Sequence, residues 1–302
     1  MNMARRDFKT IVFAGSHSHE KSEAIIEMKR RLEGINYTVY IQNQITTDLF
    51  PPEIKIDLSL TRENCYVRAV KRSIAKKKII FFDRGIMDDL PDTGSKLFDQ
   101  ILKSHGLSRV DVRDRRYDAI FYFRKSVCHK DKKTLAAWIG HRHLRVIPVF
   151  RDKQARFNLL WKHIQRVLGI PKPLEIERKF LVEILKNSLP TAHVSLNVVQ
   201  NYLKKELDGS SPRIRLVADC GFLSTHLMYK TVKKKVSKLS REEQEIELSQ
   251  KSYERLSRNI DLDTVSIIKR RTYFVYANQY FELDEFFKPY NNLVLLEIEL
   301  LR

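Results

Sequence analysis

Leu174-Glu175-Ile176-Glu177-Arg178-Lys179-Phe180 sets Glu175, Glu177 and Lys179 on one face of a strand, because successive strand side chains point to opposite sides. Downstream the same alternation returns. Arg213 and Arg215 flank Ile214, and Arg241, Glu243, Glu245 and Glu247 share parity. Lys269 and Arg271 do so too, while Glu282 and Asp284 flank Leu283, and Glu297 and Glu299 flank Ile298. Some of these faces are acidic and others basic. Short two-period strands dominate, with one helical stretch near Ser249–Ile260, which predicts a mainly-β unit.

Alternation alone suits a solvent-facing sheet as well as a barrel lumen, since both have period two. Two features favour the lumen. The charges are paired at i, i+2 on many strands rather than mixed with Thr, Ser and Gln. Glu297 and Glu299 also interrupt Leu293–Leu301, an otherwise apolar run. Carboxylates crowded in a lumen cannot all ionise without a counter-charge. A hard cation with oxygen ligands, Mg²⁺ or Mn²⁺, supplies one. Arg and Lys on facing strands suit phosphate oxygens, and a metal there can polarise a phosphoryl group and activate water.

Glu175-Ile-Glu177-Arg-Lys179 matches the ExExK signature of the CYTH, or triphosphate tunnel metalloenzyme, superfamily. The later pairs resemble that family's motifs in order: Arg213-x-Arg215, Lys230, Arg241-x-Glu243-x-Glu245, Lys269-x-Arg271, Glu282-x-Asp284 and Glu297-x-Glu299. The resemblance implies an antiparallel eight-stranded tunnel barrel. It also implies metal ligation by Glu175 and Glu177 with Glu243, Glu245, Glu297 and Glu299. Phosphate would be gripped by Lys179, Arg213, Arg215, Lys230, Lys269 and Arg271, and Glu175, Glu177 and Lys179 would be catalytic. Members hydrolyse tripolyphosphate, thiamine triphosphate or RNA 5′-triphosphates, or cyclise ATP.

The chain before this barrel reads differently. Strand-like Thr10–Ala14, Tyr37–Ile41, Lys78–Phe82, Ala119–Phe123 and Leu144–Val149 alternate with helix-like Lys21–Glu33, Glu63–Lys76 and Lys153–Val167. Such alternation predicts a parallel α/β sheet. Gly169-Ile170-Pro171-Lys172-Pro173 then carries helix-stop signals, giving two domains, 1–170 and 173–302. Gly15-Ser-His-Ser-His-Glu20-Lys21-Ser22 is a near miss to the phosphate-cradling P-loop. Glu20 stands where the second Gly lets the chain approach an anion, but Lys21 and Ser22 are kept. Asp83 ends the next apolar run, where an acid can hold Mg²⁺ or water or merely cap the strand. Gly15, Lys21, Ser22 and Asp83 thus form a degenerate nucleotide-binding set, either altered or relic. The run Lys233-Lys234-Lys235 reads as a solvated hairpin turn.

Charge follows the same division. The chain carries +19 over 302 residues. Residues 173–302 hold 21 Lys+Arg against 18 Asp+Glu, or +3, and residues 1–172 hold 35 against 19, or +16. A basic first part suits anionic partners or simply a soluble surface. Nucleic acid is disfavoured, because no aromatic-basic interleaving or known module is present. With 43% hydrophobic residues and few Gly or Pro the chain is globular. Cys65, Cys128 and Cys220 lack CxxC spacing and read as reduced thiols. No apolar run reaches ~20 residues and Met1–Lys9 has no signal-like core, so a cytoplasmic protein, peripheral at membranes if it meets them, is expected.

Asp83-Arg-Gly-x-Met87-Asp88, Arg116-Tyr117-Asp118-Ala119, Trp138-x-Gly140-His141, the ExExK barrel and Asn278-Gln279-Tyr280-Phe281-Glu282-Leu283-Asp284 together resemble the TRPL translocation-defect family. Its members fuse a P-loop kinase-like domain to a CYTH-like barrel. The chain departs from that pattern at Glu20 and at Asn43-Gln44, where members carry Pro-Glu. The resemblance implies GTP binding, phosphatidic acid binding and a trafficking role. Two functions therefore stand side by side. One is a binding protein holding a nucleotide, polyphosphate or phospholipid head group with metal. The other is a metal-dependent tripolyphosphatase or nucleoside triphosphatase.

Overall fold

The computed structural model describes residues 7–15, 18–43, 50–124, 129–171, 174–185, 189–204, 210–219, 222–235 and 241–300. Gln44, Cys128, Lys172, Pro173 and Cys220, all read from sequence above, lie outside the described residues. The chain divides into two compact units, Met1–Ile164 and Gln165–Arg302.

In the first unit the order is β1 (Phe8–Ala14), α1 (His19–Glu33), β2 (Thr38–Gln42), α2 (Pro52–Arg72), β3 (Lys78–Asp83), α3 (Leu90–Thr93), α4 (Ser95–Ser104), β4 (Ala119–Phe123), α5 (His129–Trp138) and β5 (Leu144–Ile147), followed by α6 (Lys153–Leu168), whose last turn from Gln165 belongs to the second unit. The strands make one parallel sheet, β2-β3-β1-β4-β5. Every residue of β3 and β4 is buried, which explains their unbroken apolar runs, because parallel sheets are covered on both faces. Helix α2 starts well before the expected Glu63. Pro52 opens it, where the missing N–H costs nothing, and extended Ser73 ends it before Lys76. Helix α6 ends in a Schellman motif at Gly169 (φ +68°): Ile170 N donates to Gln165 O at 2.8 Å and Gly169 N to Arg166 O at 3.1 Å.

The second unit contains β6 (Leu174–Glu175), β7 (Glu177–Leu181), β8 (His193–Tyr202), β9 (Ser211–Asp219), β10 (Phe222–Lys235), β11 (Arg241–Glu247), α7 (Gln250–Ser257), β12 (Ile267–Tyr276), β13 (Gln279–Lys288) and β14 (Val294–Glu299). Its antiparallel sheet runs β6-β11-β10-β9-β8-β12-β13-β14-β7. The two ends of that order belong to one stretch of chain, split only at Ile176. Glu175 pairs with Arg241 on one side, and Glu177–Leu181 pair with β14 on the other. The Ile176 carbonyl accepts from Leu300 N at 2.9 Å. The sheet therefore closes on itself through this one stretch, two residues pairing with β11 and five with β14, and it has eight strands when the split stretch counts once. Lys233-Lys234-Lys235 lies in β10, not in a turn. Fourteen residues long, β10 carries that basic run into the barrel wall.

Among the described residues no helix is long and apolar enough to cross a membrane.

Candidate functional site in the barrel lumen

Residues directly opposite one another across a ladder share a face, so the register can be followed round the barrel. Lys179 faces Glu297, Glu297 faces Glu282, and Glu282 faces Tyr273. Glu177 faces Glu299, and Asp284 faces Arg271. Lys269 faces Val198, and Gln200, two residues on, faces Arg215. Arg215 faces Tyr229, Arg213 faces Thr231, Thr231 faces Glu245, and Lys233 faces Glu243. All these charges lie on one continuous face, and it is the interior, although the Lys179 side chain is still 44% exposed. Asp284 and Thr231 are fully buried and Glu297, Lys269 and Gln200 nearly so. Arg178 and Arg270, of the opposite parity, are exposed.

Sequence parity thus placed Glu175, Glu177, Arg213, Arg215, Glu243, Glu245, Lys269, Arg271, Glu297 and Glu299 on a common face by backbone register. Lys230 is the exception. It pairs across the ladders with Ile214 and Ile246, on the outer face. The lumen positions on β10 are Tyr229, Thr231 and Lys233. Lys233 and Thr231 were not among the expected phosphate residues, although the alternation Tyr229-Lys-Thr231-Val-Lys233 carries that signal.

Two ion-pair clusters fill the lumen. In one, the Arg271 guanidinium donates to Asp284 from Nε (2.7 Å) and Nη2 (2.6 Å), to Glu297 from Nη2 (3.2 Å) and to Glu282 from Nη1. Lys269 donates to Asp284, and Lys179 bridges Glu297 and Glu177, the latter at 3.3 Å. In the other, Arg215 contacts Glu245 and donates to Thr231 at 2.9 Å. Thr231 in turn donates to Glu245 at 2.8 Å. Glu243 lies 3.6 Å from Arg213 and 3.5 Å from Lys233. Glu299 pairs with Arg166 at 3.0 Å.

Burial and charge pull these groups apart in proton affinity. Burial raises Asp284 and Glu297, but Arg271, with Lys269 at the first and Lys179 at the second, holds both carboxyls below their usual range. Glu282 is raised, because burial and its acidic neighbours outweigh Arg271. Burial and the adjacent Arg271 charge lower the Lys269 ammonium to about 8.

The donor set suits a hard divalent cation. It offers oxygen ligands only, and two carboxylate pairs, Glu177/Glu299 and Glu282/Glu297, stand directly opposite one another, an arrangement unfavourable without a counter-charge. Among the described residues no three acidic, His or Cys side chains are grouped as a metal cage; Arg271 and Lys179 lie between the carboxylates instead.

In the first unit the carboxyl ends of β1 and β3 lie side by side, Phe13 opposite Asp83. Parallel sheets bind ligands at such ends. Here the groups engage one another. Lys21 is wholly buried, with Nζ 2.9 Å from Asp83 Oδ1 and donating to Gly15 O at 3.1 Å. Ser18 caps α1: its Oγ accepts from Lys21 N at 3.2 Å, and its carbonyl accepts from Ser22 N at 3.2 Å. Buried Asp88 accepts from Gly15 N (3.0 Å), Gly85 N (2.9 Å) and Trp138 Nε1 (3.2 Å). Glu20 pairs with Arg156 at 2.8 Å. Gly15 is required where it stands: its φ is +101°, and a Cβ there would meet Phe123 O at 2.7 Å.

No family model matches the chain, and no curated protein does. Solved structures similar to it include the inorganic triphosphatase NE1496, 26% identical over 42% of this chain and 74% of that one, with a TM-score of 0.29. A second is HpAC1 from Hippeastrum, whose structure is described as revealing a dominant triphosphatase activity (16% identical, 42% and 79% covered, TM-score 0.29). A third is PH1012 from Pyrococcus horikoshii (19% identical, 41% and 77% covered, TM-score 0.28).

Proposed function

We propose that the barrel binds the triphosphate moiety of an inorganic polyphosphate or a nucleotide, together with Mg²⁺ or Mn²⁺, and hydrolyses it. One observation carries this reading: cations and carboxylates crowd one face of a closed sheet, with Arg271 held by Glu282, Asp284 and Glu297 from two neighbouring strands. Glu177, Glu282, Asp284 and Glu297, with Glu175 and Glu299, would hold the cation. Arg213, Arg215, Lys233, Lys269 and Arg271 would bind phosphoryl oxygens, Arg through its planar fork. When bound, the metal supplies charge neutralisation at the phosphoryl group and a more acidic water. The barrel's own residues orient the chain of phosphates and exclude bulk solvent.

The test is phosphate release from tripolyphosphate, ATP and GTP with Mg²⁺ or Mn²⁺. Turnover is expected in the wild type and lost in Glu175→Ala/Glu177→Ala. Turnover untouched by that double change would remove the tunnel assignment.

A second reading, docking to an anionic membrane, rests on one loop of the first unit. Ile74 is 101% exposed and lies between exposed Lys71, Arg72, Lys76 and Lys77. Cations beside an anionic lipid surface contribute about 1 kcal/mol each, and an apolar tip adds burial. Flotation with phosphatidic acid vesicles that vanishes in Ile74→Ser/Lys76→Ser/Lys77→Ser would support it. Flotation insensitive to those changes would exclude this loop.

A further inference from the structure

The lumen brings its own counter-ions. Glu282 and Glu297 stand directly opposite across β13 and β14, and Asp284 follows on the same face. Three carboxylates so placed repel one another unless a cation lies among them. The Arg271 guanidinium fills that place and reaches all three. Lys179 does the same between Glu177 and Glu297. Lys269 covers the remaining side of Asp284. Arg271 is 11% exposed and Asp284 wholly buried, so solvent does not screen the cluster.

We propose that Arg271, with Lys179 beside it, is a resident surrogate for the divalent cation. It neutralises the lumen carboxylates when no metal is bound and is released to the phosphate when the metal takes them over. The proposal rests on the reading of the barrel as a metal-dependent polyphosphate site.

Charge balance gives it content. A metal entering alone would expel a buried guanidinium and leave it without a partner, which is costly. A polyphosphate entering alone would meet Arg271 and Lys179 still bound to carboxylates. Entering together, the two exchange partners: carboxylates pass to the metal and cations to the phosphate, and no buried charge is left bare. Each ligand then raises the affinity for the other by the same factor. The scheme also accounts for the lack of a ready cage of acids among the described residues, because the cations fill the space between them.

The test measures Mn²⁺ binding by the electron paramagnetic resonance signal of the free ion, with no phosphate present. Wild type, Arg271→Met and Lys179→Met are compared. We expect Mn²⁺ to bind about tenfold or more tightly to Arg271→Met than to wild type, with a smaller change in the same direction for Lys179→Met. Tripolyphosphate binding, followed by calorimetry with Mn²⁺ present, should weaken in both. Mn²⁺ affinity unchanged or lowered in the variants would overturn the proposal. Lys179 is 44% exposed, so its variant carries the same test if Arg271→Met does not fold. Failure of the underlying reading looks different: wild type would then show no metal-dependent tripolyphosphate binding at all.

Discussion

Lys21 and Asp83 form a buried ion pair, Nζ to Oδ1 2.9 Å, at the carboxyl ends of β1 and β3. Lys21 has no exposed surface. Removing one partner leaves an uncompensated charge in the interior. Lys21→Met should therefore destabilise the first unit by about 3–5 kcal/mol. Lys21→Met/Asp83→Asn, which removes both charges, should recover most of that loss. Urea unfolding of the four chains of this cycle measures it.

The same pair bears on nucleotide binding. With Lys21 on Asp83, and the Lys21 and Ser22 amides on Ser18, restoring a glycine does not free the groups a phosphate needs. Glu20→Gly should bind ATP and GTP no better than wild type by calorimetry. A gain of tenfold or so would show instead that Glu20 alone blocks the loop.

Lys230 and Lys233 lie on opposite faces of β10. Lys233 faces Glu243 across the lumen ladder and Lys230 faces Ile246. Lys233→Ala should weaken tripolyphosphate binding by about 1.5–3 kcal/mol, the worth of a charge-assisted hydrogen bond. Lys230→Ala should leave it unchanged. The reverse order would show that β10 is out of register.

Burial and Arg271 lower Lys269 to about 8, against an ordinary 10.5. Above about pH 8 the folded barrel releases this proton, while the unfolded chain keeps it until near 10.5. In that window the unfolded state binds more protons, so stability rises with pH. Measured against Lys269→Met, wild type should gain stability from about pH 8 to 10.5. Its tripolyphosphate affinity should fall over the same interval as the cation is lost. Flat differences across this range would place the proton elsewhere.

Gly15 has φ +101° and no room for a Cβ against Phe123 O. Gly15→Ala should cost at least about 1–3 kcal/mol through strained backbone and displaced β4. A thermal shift assay reads the loss.

Much of this was legible in the residues. Period-two charge at Glu175–Lys179, Lys269–Arg271 and Glu297–Glu299 fixed a common face, because the strand repeat is rigid. The buried runs of β3 and β4 named the parallel sheet. Other features were hidden for physical reasons. Lys233-Lys234-Lys235 looked like a turn, since only the cross-strand partner Glu243 explains a lysine kept at this place in a wall. Helix α2 was shortened at its start because Ile54 and Leu58 are exposed, which blurs the amphipathic period. The mutual capture of Gly15, Lys21, Asp83 and Asp88 joins residues up to 73 positions apart, which no local pattern reports.

The split stretch Leu174–Leu181 meets β14 on one side and β11 on the other. It leaves the ribosome more than a hundred residues before Val294–Glu299. Until that last strand is made, β7 and β13 each present an unpaired edge, and no enclosed lumen exists. Closure of the lumen is therefore a late event in synthesis. A chain stopped short of Val294 would carry every basic and acidic residue of β6 through β13 yet have no chamber to hold them.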